Sequence, residues 1–243
     1  MTFRTMSMNV ICVLLSAYTG CGAKMSLYEA IRNDDAESIE KIAKVSKSSF
    51  SSFSITNDSP LIYAMEQDSK NAFLALLESG ADPNRVGSNG RNLMTFAASK
   101  QDIFWLKKAL EHGGNPNLDN EATPQRRCTP LIAAARDDRI DALKLLIDDY
   151  KADVNYITDV EDALFRATSS TNFRAVLYLL RSGSDFRRKT GRYCSFADKV
   201  RQTKPEDFLQ EQKQKDFQAV IDWLRDQGVE WNKPHQDGDA WVY

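Results

Sequence analysis

Histidine is almost absent from this chain of 243 residues, which contains only His112 and His235. Neither has a cysteine or carboxylate neighbour at the spacing of metal ligands. The sequence also lacks the motifs of serine hydrolases, phosphate-binding loops and zinc peptidases. His112 is predicted to lie at a helix C-terminus, where a cation complements the helix dipole. These absences argue against an enzyme, a bound metal and a cofactor.

An excess of basic residues is also missing, since 32 Lys and Arg face 34 Asp and Glu for a formal net charge of −2. A nucleic-acid-binding domain is expected to carry a basic stripe, so the balance argues against that class. The sequence contains no run of 18 or more apolar residues, so no transmembrane helix is predicted. The acidic pairs lie at predicted turns or helix ends, where solvation explains them without catalysis, and they are Asp34-Asp35, Asp137-Asp138 and Asp148-Asp149.

What the sequence does contain is a repeated pattern. Cys128 to Arg136 reads Cys-Thr-Pro-Leu-Ile-Ala-Ala-Ala-Arg, in which Thr caps a helix and Pro occupies its first position. A second apolar helical stretch and an exit Ala-Asp-Val-Asn follow. Similar units end in asparagines 33 and 38 residues apart, at Asn84, Asn117 and Asn155. Their opening leucines lie 32, 38 and 33 residues apart, at Leu61, Leu93, Leu131 and Leu164.

A period of about 33 residues with Thr-Pro-Leu-x-x-Ala resembles the ankyrin repeat. The resemblance implies an all-α solenoid of helix-turn-helix units, with finger loops and helical caps at both ends. We assign the repeat domain to residues 26–232, about six helix pairs, and a tail to residues 233–243. The repeats are best defined near 59–91, 92–128, 129–161 and 162–193. Trp105 is expected in the core, and Gly228 is expected to end the helix of the C-terminal cap.

The N-terminal 20 residues have the pattern of a secretory signal peptide, with Arg4 ahead of the apolar run Val10 to Leu15. Thr19-Gly20-Cys21 resembles the bacterial lipobox, in which the cysteine is acylated, although Tyr18 departs from that pattern. The alternatives are an ordinary cleaved signal and a disordered leader. If Cys21 is acylated, residues 21–25 form a lipid-anchored linker on the periplasmic side of a bacterial membrane. In the resembling lipoproteins an Asp after the cysteine retains the protein at the inner membrane, so Gly22 favours the outer membrane.

Two cysteines would remain beside Cys21 in such a mature chain, Cys128 and Cys194. Both precede a helix-opening position, two repeats apart. Packed helices lie about 8–10 Å apart, so two repeats exceed the roughly 7 Å Cα separation that a disulfide allows. We predict two free thiols.

The connectors between repeats carry the candidate binding residues. In ankyrin proteins these connectors extend as fingers beside the inner helices and form a concave binding face. Leu118 to Arg127 is the longest connector, five residues over the period, and an insertion of this kind often maps to the binding face. Arginine is enriched at binding hot spots. The predicted protein-binding residues are Arg91, Arg126, Arg127, Tyr156, Arg187, Arg188 and Arg192. The alternative for the arginines is that they are ordinary solvated surface charges.

These features predict a membrane-anchored periplasmic protein that binds another protein. Bacterial ankyrin lipoproteins of this size resemble the immunity proteins that neutralise type VI secreted toxins, notably phospholipases. The alternatives are an envelope scaffold or stress-accessory protein with other periplasmic partners, and a small-molecule or enzymatic protein that uses the Asp-rich turns.

Overall fold

The structure is a computed structural model that describes residues 26–45, 59–87, 90–120, 127–158, 161–190, 194–196, 199–200, 203, 208 and 210–229. Several predicted features lie outside the described residues, and they are the signal peptide, the linker 21–25 with Cys21 and Gly22, Arg126, Arg192 and the tail from residue 233.

The described residues form helix pairs in sequence order, each with an inner helix followed by an outer helix. Consecutive inner helices pack side by side, as α5 and α7 do, and so do the outer helices α2 with α4 and α8 with α10. Helix α11 covers the outer helix α10 at the C-terminal end. The bounds are α1 Leu27–Arg32, α2 Ala36–Val45, α3 Pro60–Glu66, α4 Lys70–Glu78, α5 Leu93–Ser99, α6 Phe104–Glu111, α7 Pro130–Arg136, α8 Ile140–Lys144, α9 Ala163–Ser169, α10 Phe173–Arg181 and α11 Glu211–Asp226. The predicted helical ankyrin-repeat solenoid is confirmed.

Two short pieces of strand accompany the helices. Lys189–Thr190 (β1) pairs antiparallel with Cys194–Ser195 (β2), and Val86 forms an isolated bridge with Asn92. Both lie in the connectors that were predicted to form fingers. Their pairing adds a finger hairpin to an architecture that is otherwise helical.

Each inner helix from α3 to α9 begins at a polar residue whose side chain accepts a hydrogen bond from a backbone amide three residues on. These N-caps are Ser59, Asn92, Thr129 and Asp162. Such a cap satisfies one of the amides that the first helical turn leaves without a partner. The caps recur 33, 37 and 33 residues apart, so they give the register of the repeats directly.

This register corrects one detail of the sequence analysis. Counting from the caps, the residue equivalent to Leu61 is Met94, not Leu93, and Leu93 occupies the position of the proline in α3 and α7. Both Leu93 and Met94 are buried, so hydrophobicity alone did not distinguish them. The connector before α7 therefore exceeds the 33-residue period by four residues instead of five.

The core is continuous along the stack and combines alanines with large side chains. Ala133, Ala134 and Ala135 are all buried on α7, where they let the neighbouring inner helices approach closely. Trp105 is 2% exposed and its ring lies edge-on to that of Phe73 at a centroid distance of 5.1 Å. The prediction that Trp105 belongs to the core is confirmed.

The C-terminal end is capped as expected. Phe217 of α11 packs on Phe173 of α10 with a centroid distance of 4.9 Å. Helix α11 ends at Asp226, and Gly228 follows with a φ of +78°. Glycine reaches this left-handed conformation without the steric cost of a Cβ, so it ends the helix where the sequence predicted.

The loops between inner and outer helices have a recurring backbone feature. Asp34, Asp68 and Asp138 have φ values of +53°, +57° and +53°. Asp34 Oδ1 accepts a hydrogen bond of 2.7 Å from the amide of Ala72, near the start of the next outer helix. The first of the acidic turns therefore joins neighbouring repeats, which agrees with the structural interpretation of these carboxylates.

Candidate protein-binding edge

Arg91, at the end of the first described connector, is held by two groups of the neighbouring repeats. Its Nη2 lies 2.6 Å from Glu66 Oε1 of α3. The guanidinium also lies over the ring of Phe96 of α5, 5.0 Å from its centroid. The Arg91 side chain keeps 38% of its surface exposed, so it combines a fixed position with access from solvent.

Arg127 and Tyr156 come from successive connectors and meet on one carboxylate. Arg127 Nε lies 3.0 Å from Asp119 Oδ2, and the Tyr156 hydroxyl donates to the same oxygen at 3.2 Å. The side chains of Arg127 and Asp119 are only 18% and 5% exposed. Arg127 therefore braces its connector, and Asp119 is a central residue that the sequence analysis missed. Nothing in its sequence position distinguishes it from an ordinary loop aspartate.

Asn120 closes the base of the same connector. Its Oδ1 accepts a hydrogen bond of 2.6 Å from the amide of Cys128, and its Nδ2 donates to the carbonyl of Gly90 at 3.2 Å. The side chain thus joins both ends of the long connector to the connector before it.

Glu161, just before α9, is the buried carboxylate of the next connector. It forms an ion pair with Arg166, whose Nε lies 2.6 Å from Glu161 Oε1. The Glu161 side chain is 5% exposed, and burial raises the pKa of its carboxyl while the bond from Arg166 opposes that rise. Glu161 and Arg166 were also missed from the sequence, because neither belongs to a repeated motif.

Arg187 and Arg188 lie in the connector that follows α10 and its exit loop at residues 183–185. The guanidinium of Arg187 lies over the Phe186 ring, 4.7 Å from its centroid. Arg188 Nη1 donates to the carbonyl of Asn155 at 2.8 Å, which ties this connector to the preceding exit loop. The arginines of the described edge are therefore braced by the repeats, and their role in binding a partner stays a prediction.

Cys128 and His112 are the other side chains that the sequence analysis considered, and both have contacts that a structural role explains. Cys128 is a free thiol, and burial raises its pKa to about 11, so the thiol is protonated at neutral pH. His112 is the C-cap of α6 and its Nδ1 lies 2.9 Å from the carbonyl oxygen of Lys108, as its predicted position implies. The side chain of Cys194 lies outside the described set.

In the part of the chain that the structure describes, no cluster of three or more His, Cys, Asp or Glu side chains is arranged to hold a metal ion. None of the described helices combines the length and apolar character needed to cross a membrane.

Comparison with known proteins agrees with this architecture. A model of ankyrin repeats in three copies matches residues 93–190. A putative ankyrin repeat-containing protein of Treponema pallidum is 33% identical over 63 residues, which are 26% of this chain and 21% of that protein. Protein PhlB of Serratia liquefaciens is 35% identical over 74 residues, which are 30% of this chain and 31% of that protein. The matches thus span under a third of either relative.

Solved structures extend the similarity to the fold of most of the chain. An ankyrin repeat domain from Acinetobacter baumannii AYE is 20% identical with a TM-score of 0.64, covering 82% of this chain and 97% of that one. Ankyrin repeats act as protein-binding scaffolds, and the matching family is not a catalytic one. Residues 93–190 therefore match ankyrin repeats, and the described chain has the fold of ankyrin-repeat domains, whose repeats act in protein–protein interaction.

Proposed function

We propose that this protein is an envelope-anchored ankyrin module that binds and neutralises a secreted antibacterial toxin such as a phospholipase. The observation that carries the proposal is a row of braced connectors beside the inner helices. Arg91, Arg127 and Arg188 are each fixed by contacts to a carboxylate or a carbonyl. A surface that is ordered before binding loses less conformational entropy when a partner docks.

The proposed mechanism needs no catalysis. A solenoid presents an extended surface built from several repeats, so it can cover a large area of a folded partner. An enzyme whose active site or lipid-binding face is covered cannot reach its substrate. The arginines of the edge favour a partner with an acidic surface, because guanidinium groups pair with carboxylates in a bidentate geometry.

The proposed anchor supports the same function. Acylation of Cys21 would hold the inhibitor at the membrane surface, where a phospholipase acts. Two or more acyl chains give stable attachment, since each buried CH₂ contributes about 0.8 kcal/mol. Attachment to the outer membrane is the form that Gly22 favours.

The test pairs the purified protein with a phospholipase encoded beside its gene. The expected result is stoichiometric loss of phospholipid hydrolysis in vitro, and killing of gene-deleted cells by siblings that secrete the enzyme. A Cys21→Ser variant should still inhibit in solution but should move from membrane to soluble fractions. Undiminished hydrolysis with a molar excess of the protein would refute the toxin role, and several constitutive partners instead of one would favour an envelope scaffold.

A further inference from the structure

A cavity lies between the inner helices α5 and α7, where the helix surface changes from large to small side chains. The fourth residue after the N-cap is aromatic in α3 and α5, Tyr63 and Phe96, and is Arg166 in α9. In α7 the same position holds Ala133. Because alanine has no ring, the space that an aromatic side chain at this position of α7 would fill is left open beside Phe96. The resulting cavity has a volume of about 240 Å³ and is partly open to solvent.

The connectors complete the wall of this cavity. Asn120 and Cys128, at the two ends of the long connector, line it together with Arg91. One water molecule occupies roughly 30 Å³, so the cavity has room for a whole side chain of a partner. Both described ends of the long connector are thus found at the junction where α7 carries an alanine instead of an aromatic residue.

The charged side chains among the described residues of the wall are both basic. Arg91 and Arg136 both line the cavity, and none of the described residues that line it is a carboxylate. Asn92 also lines it and is fully buried, with an Nδ2 that has no hydrogen-bond partner among the described residues. The wall therefore offers hydrogen-bond donors and positive charge, which favours an acceptor that carries negative charge.

The two arginines that line the cavity each pair with a carboxylate, and both ion pairs are partly exposed to solvent. Arg136 pairs with Asp137, and the side chains are 45% and 30% exposed. Arg91 and Glu66 are 38% and 37% exposed. Exposed ion pairs contribute about 0–1 kcal/mol, so an incoming carboxylate can share either guanidinium at little cost.

We propose that this cavity is an anchor site for one aspartate or glutamate side chain of the protein partner. The inference rests on the proposed protein-binding function, and it names the chemistry that the partner must present at one position. The carboxylate lies between Arg91 and Arg136, and its methylene groups contact Phe96 and Ala133.

The test uses Cys128 as a reporter inside the cavity wall. The full mature chain is equilibrated with equal amounts of two disulfide probes, one delivering 3-mercaptopropionate and the other its uncharged amide. The ratio of the two mixed disulfides at Cys128 is measured by peptide mapping. The same chain unfolded in guanidinium chloride gives the reference ratio, because the thiol then has no neighbours.

The folded protein is expected to prefer the carboxylate by about fivefold over the reference, the effect of one partly exposed pair of charges. Arg136→Gln should remove most of that preference, and Arg85→Gln, outside the cavity, should leave it unchanged. Ala133→Tyr places in α7 the ring that α3 carries at the same position, and it should suppress both adducts. A ratio equal to the reference would overturn the proposal, and so would a folded chain that forms neither adduct.

These results are separate from the fate of the proposed function. A chain that prefers the carboxylate but leaves phospholipase activity intact keeps the anchor site and loses the toxin role. A chain that inhibits the phospholipase equally well with Ala133→Tyr keeps the toxin role and loses the anchor site.

Discussion

The exit loops, which follow the outer helices, and the connectors, which precede the inner helices, both join neighbouring repeats. They do so through different contacts. In two exit loops an asparagine makes the same pair of bonds to the next exit loop. Asn84 accepts from the amide of Asn115 at 2.6 Å and donates to the carbonyl of Gly113 at 2.9 Å. Asn155 makes the same bonds to Asp185 at 2.8 Å and to Gly183 at 3.1 Å.

The connectors repeat no such contact. Arg91 reaches back to Glu66 of an earlier helix, Arg127 pairs within its own connector, and Glu161 pairs with a residue of the helix that follows. The exit loops therefore repeat the same backbone contacts from one repeat to the next. The described connectors make a different side-chain contact at each repeat. Variation is tolerated where it does not disturb the stack, and it supplies the distinct surface that recognition of one partner requires.

The largest effect on stability is expected at Asp119. Asp119→Ala removes the carboxylate that both Arg127, a side chain that is 18% exposed, and the Tyr156 hydroxyl contact. The loss of a partner from a mostly buried pair should lower the free energy of unfolding by about 2–3 kcal/mol. Urea denaturation measures it. Glu37→Ala, in an exposed pair with Lys41, is the control and should change stability by less than about 0.5 kcal/mol. Equal values for the two variants would mean that the connector is not braced by Asp119.

A comparable loss, in binding rather than stability, is expected at the last described connector. The double change Arg187→Ala/Arg188→Ala should weaken partner binding by about 2 kcal/mol, the size typical of a binding hot spot. Calorimetric titration measures the affinity, with Asp82→Ala on the exit side as the matched control. Wild-type affinity in the double variant would place the interface away from this connector.

Smaller and equal losses are expected at the two exit loops. Asn84→Ala and Asn155→Ala each remove one accepted and one donated hydrogen bond at an exposed site. Each should reduce the free energy of unfolding by about 1–2 kcal/mol. Aspartate at either position keeps the acceptor and loses the donor, so it should recover part of the loss. A difference between the unfolding free energies of the two alanine variants larger than about 2 kcal/mol would contradict the equivalence of the two exit loops that their hydrogen bonds indicate.

The smallest effect concerns pH. Burial raises the pKa of Asp162 above its ordinary value of 3.8, opposed by a backbone hydrogen bond from Phe165. Between the ordinary pKa of the unfolded chain and the raised pKa of the folded protein, the folded state therefore binds more protons than the unfolded state. The contribution of Asp162 to stability falls as the pH rises through that range. Asn can serve as the same N-cap. Asp162→Asn should thus gain stability relative to the wild type as the pH rises from acid to neutral, measured by thermal unfolding.

Asp102 provides the opposite sign as a control. Its hydrogen bond with Lys70 lowers the pKa of the carboxyl below 3.8. Its contribution is present above the ordinary pKa and is lost as pH falls through the lowered one. Asp102→Asn should therefore lose stability relative to the wild type as the pH rises. The same slope for both variants would contradict the environments described for Asp162 and Asp102.

The same division explains what the sequence predicts and what it does not. The helix pairs, the buried Trp105, the ending at Gly228 and the solenoid follow from local patterns that repeat, so periodicity finds them. The register of α5 was wrong by one residue because Leu93 and Met94 are both apolar and buried. The N-cap Asn92 carries the information that the leucine pattern lacks.

The connector side could not be predicted in the same way. Asp119, Glu161 and the cavity beside Ala133 depend on contacts between residues whose sequence positions occur once. Arg127 is an arginine of the predicted edge, yet its partner Asp119 is eight residues away in a loop without a motif. Whether the candidate residues bind a partner, and whether Cys21 is acylated, remain predictions of the sequence.

The most direct test of the central claim is photo-crosslinking in living cells from one connector position and one exit position. Ile157, 43% exposed in the connector before α9, and Glu78, at the end of α4, are replaced in turn by a benzophenone amino acid. If the connectors form the binding surface, one dominant crosslinked protein is expected from Ile157 and none from Glu78. Crosslinks from Glu78 alone, or equal crosslinks from both positions, would contradict a binding surface on the connector side.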